Sequence, residues 1–99
     1  MKRNFLNVAI YGMGRLGDML YVLLQNSSFR VQYVIDKKAD SFIYDVPVFL
    51  PNDADLKTKT QDVDAVIVTP VVDRDAIKEE LHALGFRNIF LIREMVNEL

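Results

Sequence analysis

Three glycines near the start of the chain have the spacing of a phosphate-binding turn. Gly12, Gly14 and Gly17 form the pattern G-x-G-x-x-G, and the apolar run 7–11 directly precedes them. The first glycine allows a sharp turn, the second allows a pyrophosphate to approach the backbone, and the third allows close packing of the next helix. The free N–H groups and the dipole of that helix then face the anion. We therefore predict that an anion-binding turn is formed by Gly12, Met13, Gly14, Arg15, Leu16 and Gly17.

A carboxylate follows at the place where such turns are usually paired with a sugar-binding acid. Asp36 ends the second apolar run, about twenty residues after the glycines. An acid there can accept two hydrogen bonds from the diol of an adenosine ribose, although a solvated loop carboxylate would give the same pattern. Lys37 comes next and could offset a phosphate on that diol, so the residues leave the phosphorylation state of the ribose open.

Thr69 and Pro70 end a third apolar run, D-A-V-I-V-T. They would lie beside the middle of a bound dinucleotide, or they simply end a strand. His82 is the only histidine and lies one position past an apolar helix residue, so we expect it at the surface. No nucleophile is paired with a base and no metal-binding cluster is visible, so we predict neither catalytic residues nor metal ligands.

Strand and helix patterns alternate along the chain. Pro47 cannot donate a ladder hydrogen bond, which predicts that the strand containing it lies at a sheet edge. The pattern predicts strands over 5–11, 31–35, 46–50, 64–69 and 88–92, a helix over 15–25, another from residue 73 to 84, and a weak helix or loop from residue 51.

The two longer helices have apolar faces and end signals. Asp73 is a plausible N-cap of the later helix, and Gly85 stands where a left-handed C-cap belongs. Its apolar face is formed by Ile77, Leu81 and Leu84. The earlier helix is expected to bury Leu16, Leu20, Leu23 and Leu24, with Met19 beside them.

This alternation is typical of parallel βαβ units with right-handed crossovers. We predict an α/β, three-layer fold with a five-stranded parallel sheet in the order 3-2-1-4-5. The sheet order reverses between strands 1 and 4, and ligands bind outside the carboxyl ends of the strands at such a point. The glycine turn, Asp36 and Thr69-Pro70 all fall at carboxyl ends, which is the best functional evidence in the sequence.

Composition limits the class of protein. The 99 residues are expected to form one domain, 1–99, and half of them are hydrophobic. A net charge of −2 without a basic block argues against nucleic acid as the main partner, and the lack of cysteine excludes thiol catalysis and disulfides. We expect a cytoplasmic protein without a membrane span. The apolar run 89–92 at an open sheet edge predicts a homodimer or docking to a missing domain.

The whole chain resembles the NAD(P)-binding Rossmann domains at the start of sugar oxidoreductases, and in particular the small Rossmann-like modules of bacterial surface-polysaccharide and nucleotide-sugar proteins. The matching stretches are V-A-I-Y-G-M-G-R-L-G (8–17), V-I-D (34–36), I-Y-D-V-P-V-F (43–49), V-D-A-V-I-V-T-P (63–70) and G-F-R-N-I (85–89).

This resemblance implies that Gly12, Gly14 and Gly17 bind the pyrophosphate of NAD or NADP and that Asp36 binds its ribose. It also implies a link to polysaccharide or nucleotide-sugar biosynthesis. The sugar oxidoreductases take their catalytic residue from a second domain, which this sequence does not contain. Similar folds bind CoA or a nucleotide-sugar, and a regulatory or interaction domain can keep the fold without using the ligand site, so these alternatives stay open.

Overall fold

The computed structural model describes residues 7–12, 15–37, 46–70, 73–92 and 94. Strands and helices alternate along it, as the sequence predicts. In chain order the elements are β1 (Asn7–Tyr11), α1 (Arg15–Gln25), β2 (Arg30–Ile35), β3 (Val48–Phe49), α2 (Leu56–Lys59) with a 3-10 turn (Thr60–Asp62), β4 (Ala65–Val68), α3 (Arg74–Leu84) and β5 (Ile89–Leu91).

The five strands form one parallel sheet in the order β3-β2-β1-β4-β5, which confirms the predicted topology. β1 and β4 are neighbours, with Val8 opposite Ala65 and Ile10 opposite Ile67. β3 lies at one edge, as Pro47 predicts. The carbonyl of Pro47 accepts a hydrogen bond from the N–H of Val34 at 2.9 Å, so the missing N–H of proline leaves this pairing intact.

Side chains alternate between the two faces of the sheet and form two buried clusters. One face packs against α1, and its cluster consists of Val8, Ile10, Leu20, Tyr21, Leu24, Val34, Ala65 and Ile67. The other face packs against α2 and α3, and its cluster consists of Ala9, Tyr11, Tyr33, Ile35, Leu56, Val66, Val68, Ile77, Leu81, Phe86 and Ile89. The molecule therefore has three layers, and Leu56 anchors the short α2 to the core.

The predicted buried face of α1 is wrong in part. Leu23 is 47% exposed, and Met19 is exposed as well. Tyr21 is buried beside Leu20 and Leu24. The side chain of Leu16 lies outside the described residues. Two apolar stripes run along this helix at helical spacing, and Gly17 lies on the buried one. The sheet buries the stripe that carries Leu20, Tyr21 and Leu24 and leaves the other stripe exposed.

The ends of α3 differ in how well the sequence predicts them. Gly85 has φ of +114°, and the N–H groups of Gly85 and Phe86 bond the carbonyls of His82 and Leu81, which confirms the predicted left-handed cap. Asp73 is at the N-cap position, but its φ is +56° and its side chain makes no capping hydrogen bond. The predicted N-cap position of Asp73 is therefore correct, but its carboxylate does not cap the helix.

Candidate functional site

The residues that directly follow β1, β2 and β4 meet at the carboxyl edge of the sheet. Each is held there by a backbone hydrogen bond to the neighbouring strand or to the residue at its end. The N–H of Gly12 donates to Ile35 at 2.7 Å, that of Asp36 to Phe49 at 2.9 Å, and that of Thr69 to Tyr11 at 3.0 Å. The sheet ladder thus continues past the strand ends and places three predicted site residues side by side.

Gly12 occupies a position that only glycine fits. Its φ is +91°, a conformation that residues with a side chain rarely adopt. A Cβ atom at this position would lie 2.8 Å from Oγ1 of Thr69 and 2.9 Å from Cδ of Pro70. The sharp turn after β1 is therefore packed directly against the end of β4, in agreement with the role predicted for the first glycine.

The side chain of Thr69 stabilises this turn by hydrogen bonding to its backbone. Its side chain is buried, and Oγ1 lies 3.0 Å from the carbonyl oxygen of Tyr11 and 2.9 Å from that of Gly12. A hydroxyl has one proton, so it donates to one of these carbonyls at a time. Thr69 thus supports the backbone of the turn, and its side chain is not a wall of the site.

A cavity of about 450 Å³ opens at the same edge, between the end of β2 and α3. This volume lies within the range of small-molecule and cofactor sites. Its lining combines the ends of three strands with one side of α3 and consists of Tyr11, Gly12, Asp36, Lys37, Pro70, Asp73, Ala76, Ile77 and Glu80.

The structure brings together four of the predicted site residues, since Gly12, Asp36, Lys37 and Pro70 line one cavity. Thr69 lies beneath it. Gly17 is buried in the first turns of α1. Arg15 and Leu16 begin α1, although their side chains lie outside the described residues. Met13 and Gly14 also lie outside the described residues, so their predicted contacts with an anion stay predictions.

Carboxylates dominate the charge that the described residues bring to the cavity. Asp36, Asp73 and Glu80 line it, together with Lys37. The sequence places Asp73 and Glu80 among the acids of the first turns and outer face of α3, and both are indeed exposed. Only the tertiary packing turns them toward the end of β2. Such a lining disfavours an additional phosphate and suits groups that donate hydrogen bonds.

Tyr11 was not predicted as a site residue. It is only 3% exposed, and its hydroxyl has no hydrogen-bond partner within the part of the chain that the structure describes. Burial raises the pKa of Tyr11, and the nearby carboxylates of Glu80 and Asp36 raise it further. The one signal in the sequence is a tyrosine that ends an otherwise apolar buried strand, where its polar atom needs a partner.

Two classes of site are not found among the described residues. No group of three or more His, Cys, Asp or Glu residues could hold a metal ion in this part of the chain. Within the same ranges, no helix is long and apolar enough to cross a membrane. His82 is exposed on α3, as expected, and it is not part of the cavity lining.

Comparison with solved structures defines the fold. A Rex-family repressor, RSP, superposes with a TM-score of 0.67 at 21% identity over 87% of this chain. The same repressor in complex with β-NADH gives a TM-score of 0.66 at 22% identity. UDP-D-quinovosamine 4-dehydrogenase from Vibrio fischeri gives a TM-score of 0.66 at 24% identity over 93% of this chain. The chain has a Rossmann-type fold.

The extent of these matches differs. The chain spans 44% of the length of the repressor and 84% of the length of the dehydrogenase structure. No protein-family model matches the sequence, and no curated protein matches it. The Rossmann-type resemblance in the sequence is thus confirmed by the fold, while ligand and activity have to be argued from the site.

Proposed function

We propose that this chain is a nucleotide-binding module whose ligand is NAD(H), bound at the carboxyl edge between β1 and β4. The observation that carries this proposal is the shared cavity of Gly12, Asp36 and Pro70 at the point where the strand order reverses. Open α/β sheets bind ligands at such points. The similarity to an NADH-bound repressor and to a nucleotide-sugar dehydrogenase supports NAD(H) as the ligand.

In this proposal the predicted residues contact different parts of the dinucleotide. Gly12, Gly14 and the N-terminus of α1 receive the pyrophosphate, with Arg15 as a phosphate contact and Met13, Leu16 and Gly17 shaping the turn. Asp36 accepts hydrogen bonds from the adenosine ribose, and Lys37 and Pro70 border the same cavity. Thr69 keeps the turn in the conformation that the pyrophosphate requires.

The charge of the cavity supports NAD over NADP or CoA. Both of the latter carry an extra phosphate on the adenosine ribose, which would approach Asp36. The other two carboxylates of the cavity, Asp73 and Glu80, add to the repulsion, and Lys37 offsets only part of it. We therefore rank NAD(H) first, and NADP, CoA and nucleotide-sugars after it.

The biological setting that we propose is cytoplasmic polysaccharide or nucleotide-sugar biosynthesis, supported by the similarity to UDP-D-quinovosamine 4-dehydrogenase. A second candidate is a regulatory module, which the similarity to a repressor favours. Both candidates share the NAD(H) site. They differ in whether a biosynthetic reaction or a regulatory process depends on the bound nucleotide.

Association with a second copy or with another domain is part of the proposal. β5 is an edge strand, and its residues Phe90 and Leu91 are partly exposed. The N–H of Leu91 donates to the carboxylate of Glu94 at 2.7 Å, so one backbone group of this edge is already used. The exposed stripe of α1, formed by Met19, Val22 and Leu23, is a second apolar surface. Light scattering over a range of concentrations tests for the dimer.

Calorimetric titration tests the ligand. We expect NAD(H) to bind more tightly than NADP, CoA or UDP- and GDP-sugars. Asp36→Ala should weaken NAD by about tenfold to a hundredfold, because a hydrogen bond to a charged group contributes roughly 1.5–3 kcal/mol. The same change should narrow the preference for NAD over NADP. Asp62→Ala is the matched control, since Asp62 is exposed near the opposite edge of the sheet.

A second variant tests the pyrophosphate contact. Gly14→Val places a branched side chain where the sequence predicts the pyrophosphate, and it should abolish binding while the far-UV circular dichroism spectrum is unchanged. Binding of a UDP-sugar alone would replace NAD(H) by a nucleotide-sugar as the ligand. Absence of binding by every compound, at millimolar concentrations, would leave a domain that keeps the fold without using the site.

A further inference from the structure

We propose that Tyr11 is a recognition residue of this cavity, and that its hydroxyl donates a hydrogen bond to a neutral acceptor on the adenosine half of the dinucleotide. The inference deepens the proposed function and rests on it. It adds a specific contact at the floor of the cavity, at a residue that belongs neither to the glycine turn nor to the ribose-binding acid.

The buried hydroxyl of Tyr11 differs from other buried hydroxyls in its hydrogen bonding. Buried hydroxyls in folded proteins almost always have a hydrogen-bond partner, because an unpaired one is costly. The hydroxyl of Tyr33, on the same face of the sheet, follows this rule and donates to the carbonyl of Lys59 at 2.8 Å. Among the residues that the structure describes, the hydroxyl of Tyr11 has none. A ligand at this site would supply the missing acceptor.

The side chain of Tyr11 lines the same cavity as Asp36 and Glu80, although it is almost completely buried. Because the hydroxyl itself is closed to solvent, a ligand reaches it when a flanking side chain moves. Glu80 is exposed on α3, lines the same cavity, and its carboxylate is close enough to raise the pKa of Tyr11, so in this proposal it is the side chain that moves.

The environment of the Tyr11 hydroxyl determines which kind of group it can bind. Burial and the two carboxylates keep Tyr11 protonated, so it presents a hydrogen-bond donor. The same carboxylates repel an anionic acceptor such as a phosphate. A neutral acceptor remains, and the adenosine half of the ligand offers ring nitrogens and ribose oxygens. The exocyclic amine of adenine would in turn suit the carboxylates as a donor.

The test compares two tyrosine-to-phenylalanine variants. Tyr11→Phe removes the unpartnered hydroxyl, and Tyr33→Phe removes a partnered hydroxyl from the same face of the sheet. NADH affinity is measured by calorimetry, and stability by the midpoint of urea unfolding without ligand. Tyr11→Phe should weaken NADH by about threefold to tenfold, the range of one neutral hydrogen bond, and leave the midpoint unchanged or raised. Tyr33→Phe should lower the midpoint and leave NADH affinity unchanged.

The outcomes separate this inference from the proposed function. Equal NADH affinity of Tyr11→Phe and the unaltered protein overturns the role of Tyr11 and leaves the NAD(H) site in place. A lowered midpoint for Tyr11→Phe also overturns it, because the hydroxyl would then have a partner inside the protein. If the unaltered protein binds no NADH, the proposed function fails first and this inference falls with it.

Discussion

Two tyrosines on one face of the sheet show how its two edges differ. Tyr33 lies mid-strand in β2, opposite Ala9, and its ring meets Phe49 edge-on at 5.4 Å. Its hydroxyl bonds the carbonyl of Lys59, in the segment that leads to the amino end of β4. Tyr11 lies at the carboxyl edge with its hydroxyl unpartnered among the described residues. Among the described residues, the hydroxyl of Tyr33 thus has a partner within the protein, while that of Tyr11 has none and lies near charged groups. A buried polar group without a partner in the protein requires an explanation, and a bound ligand would supply one.

Cavity size by itself would not have distinguished these edges. A cavity of about 470 Å³ lies near the amino edge, between the ends of α2 and α3, and its lining includes Asp64, Gly85 and Asn88. The side-chain amide of Asn88 already donates to the carbonyl of Asp64 at 3.0 Å. The carboxyl edge differs in that its glycine, Gly12, is packed tightly against Thr69 and Pro70, and in that carboxylates lie near a buried hydroxyl. These features, and not volume, locate the candidate site.

The largest expected effect on stability concerns the two glycines with a left-handed backbone conformation, one at each edge of the sheet. Gly12→Ala should destabilise the protein by about 2–4 kcal/mol, because left-handed strain of roughly 1–2 kcal/mol is added to a clash with Thr69 and Pro70. Gly85→Ala should cost only about 1–2 kcal/mol, since its Cβ would meet Thr60 at an ordinary 3.7 Å. Urea unfolding of both variants measures the difference. Equal losses would contradict the close packing of the Gly12 turn.

The next effect concerns two threonine hydroxyls. Thr69→Val removes a buried hydroxyl that bonds the carbonyls around the glycine turn and should cost about 1–2 kcal/mol. Thr60→Val removes a hydroxyl that bonds the carbonyl of Lys57 within one helical turn near the amino edge, and it should cost less than about 0.5 kcal/mol. Chemical denaturation gives both values. A neutral Thr69→Val would show that the turn does not depend on this hydroxyl.

Alkaline pH should lower the stability that comes from Tyr33. Burial, with a contribution from Asp62, raises the pKa of Tyr33 above its ordinary value near 10. The folded protein therefore holds this proton more tightly than the unfolded chain does. The stability that comes from it is complete below pH of about 10 and is lost as pH rises toward the folded pKa. Unfolding measured from pH 8 to 11 should show a decline in the unaltered protein that is shallower in Tyr33→Phe.

The smallest expected effect is on phosphate discrimination. Glu80→Gln removes one of the carboxylates that face the cavity and should raise NADP affinity by about twofold to threefold, because single exposed charges act weakly through solvent. Glu79→Gln is the matched control, since Glu79 neighbours Glu80 on α3 but does not line the cavity. Competition titrations with NAD and NADP measure both. An equal gain from Glu79→Gln would assign the effect to net charge and not to the cavity.

Local patterns in the chain were enough to predict the topology and the backbone features of the site. The strand and helix periods, Pro47 at an edge strand, Gly85 at the end of α3 and the glycine turn beside Asp36 are all encoded by neighbouring residues. Such features depend on backbone conformation and on the order of the elements, which a sequence displays directly. The orientation of α1 was predicted only in part, because two of its stripes are apolar and the sheet selects between them.

The identity of the side chains that surround the cavity came from packing between distant segments. Tyr11 and Glu80 are 69 positions apart in the numbering of the chain, and no local pattern relates them. They face each other because β1 lies in the centre of the sheet and α3 crosses the face to which Tyr11 points. Hydrogen-bond partners and charges are set by distances across the fold. Whether a buried hydroxyl has a hydrogen-bond partner is therefore decided by three-dimensional packing. The turn beside it is predicted by the spacing of the glycines in the sequence.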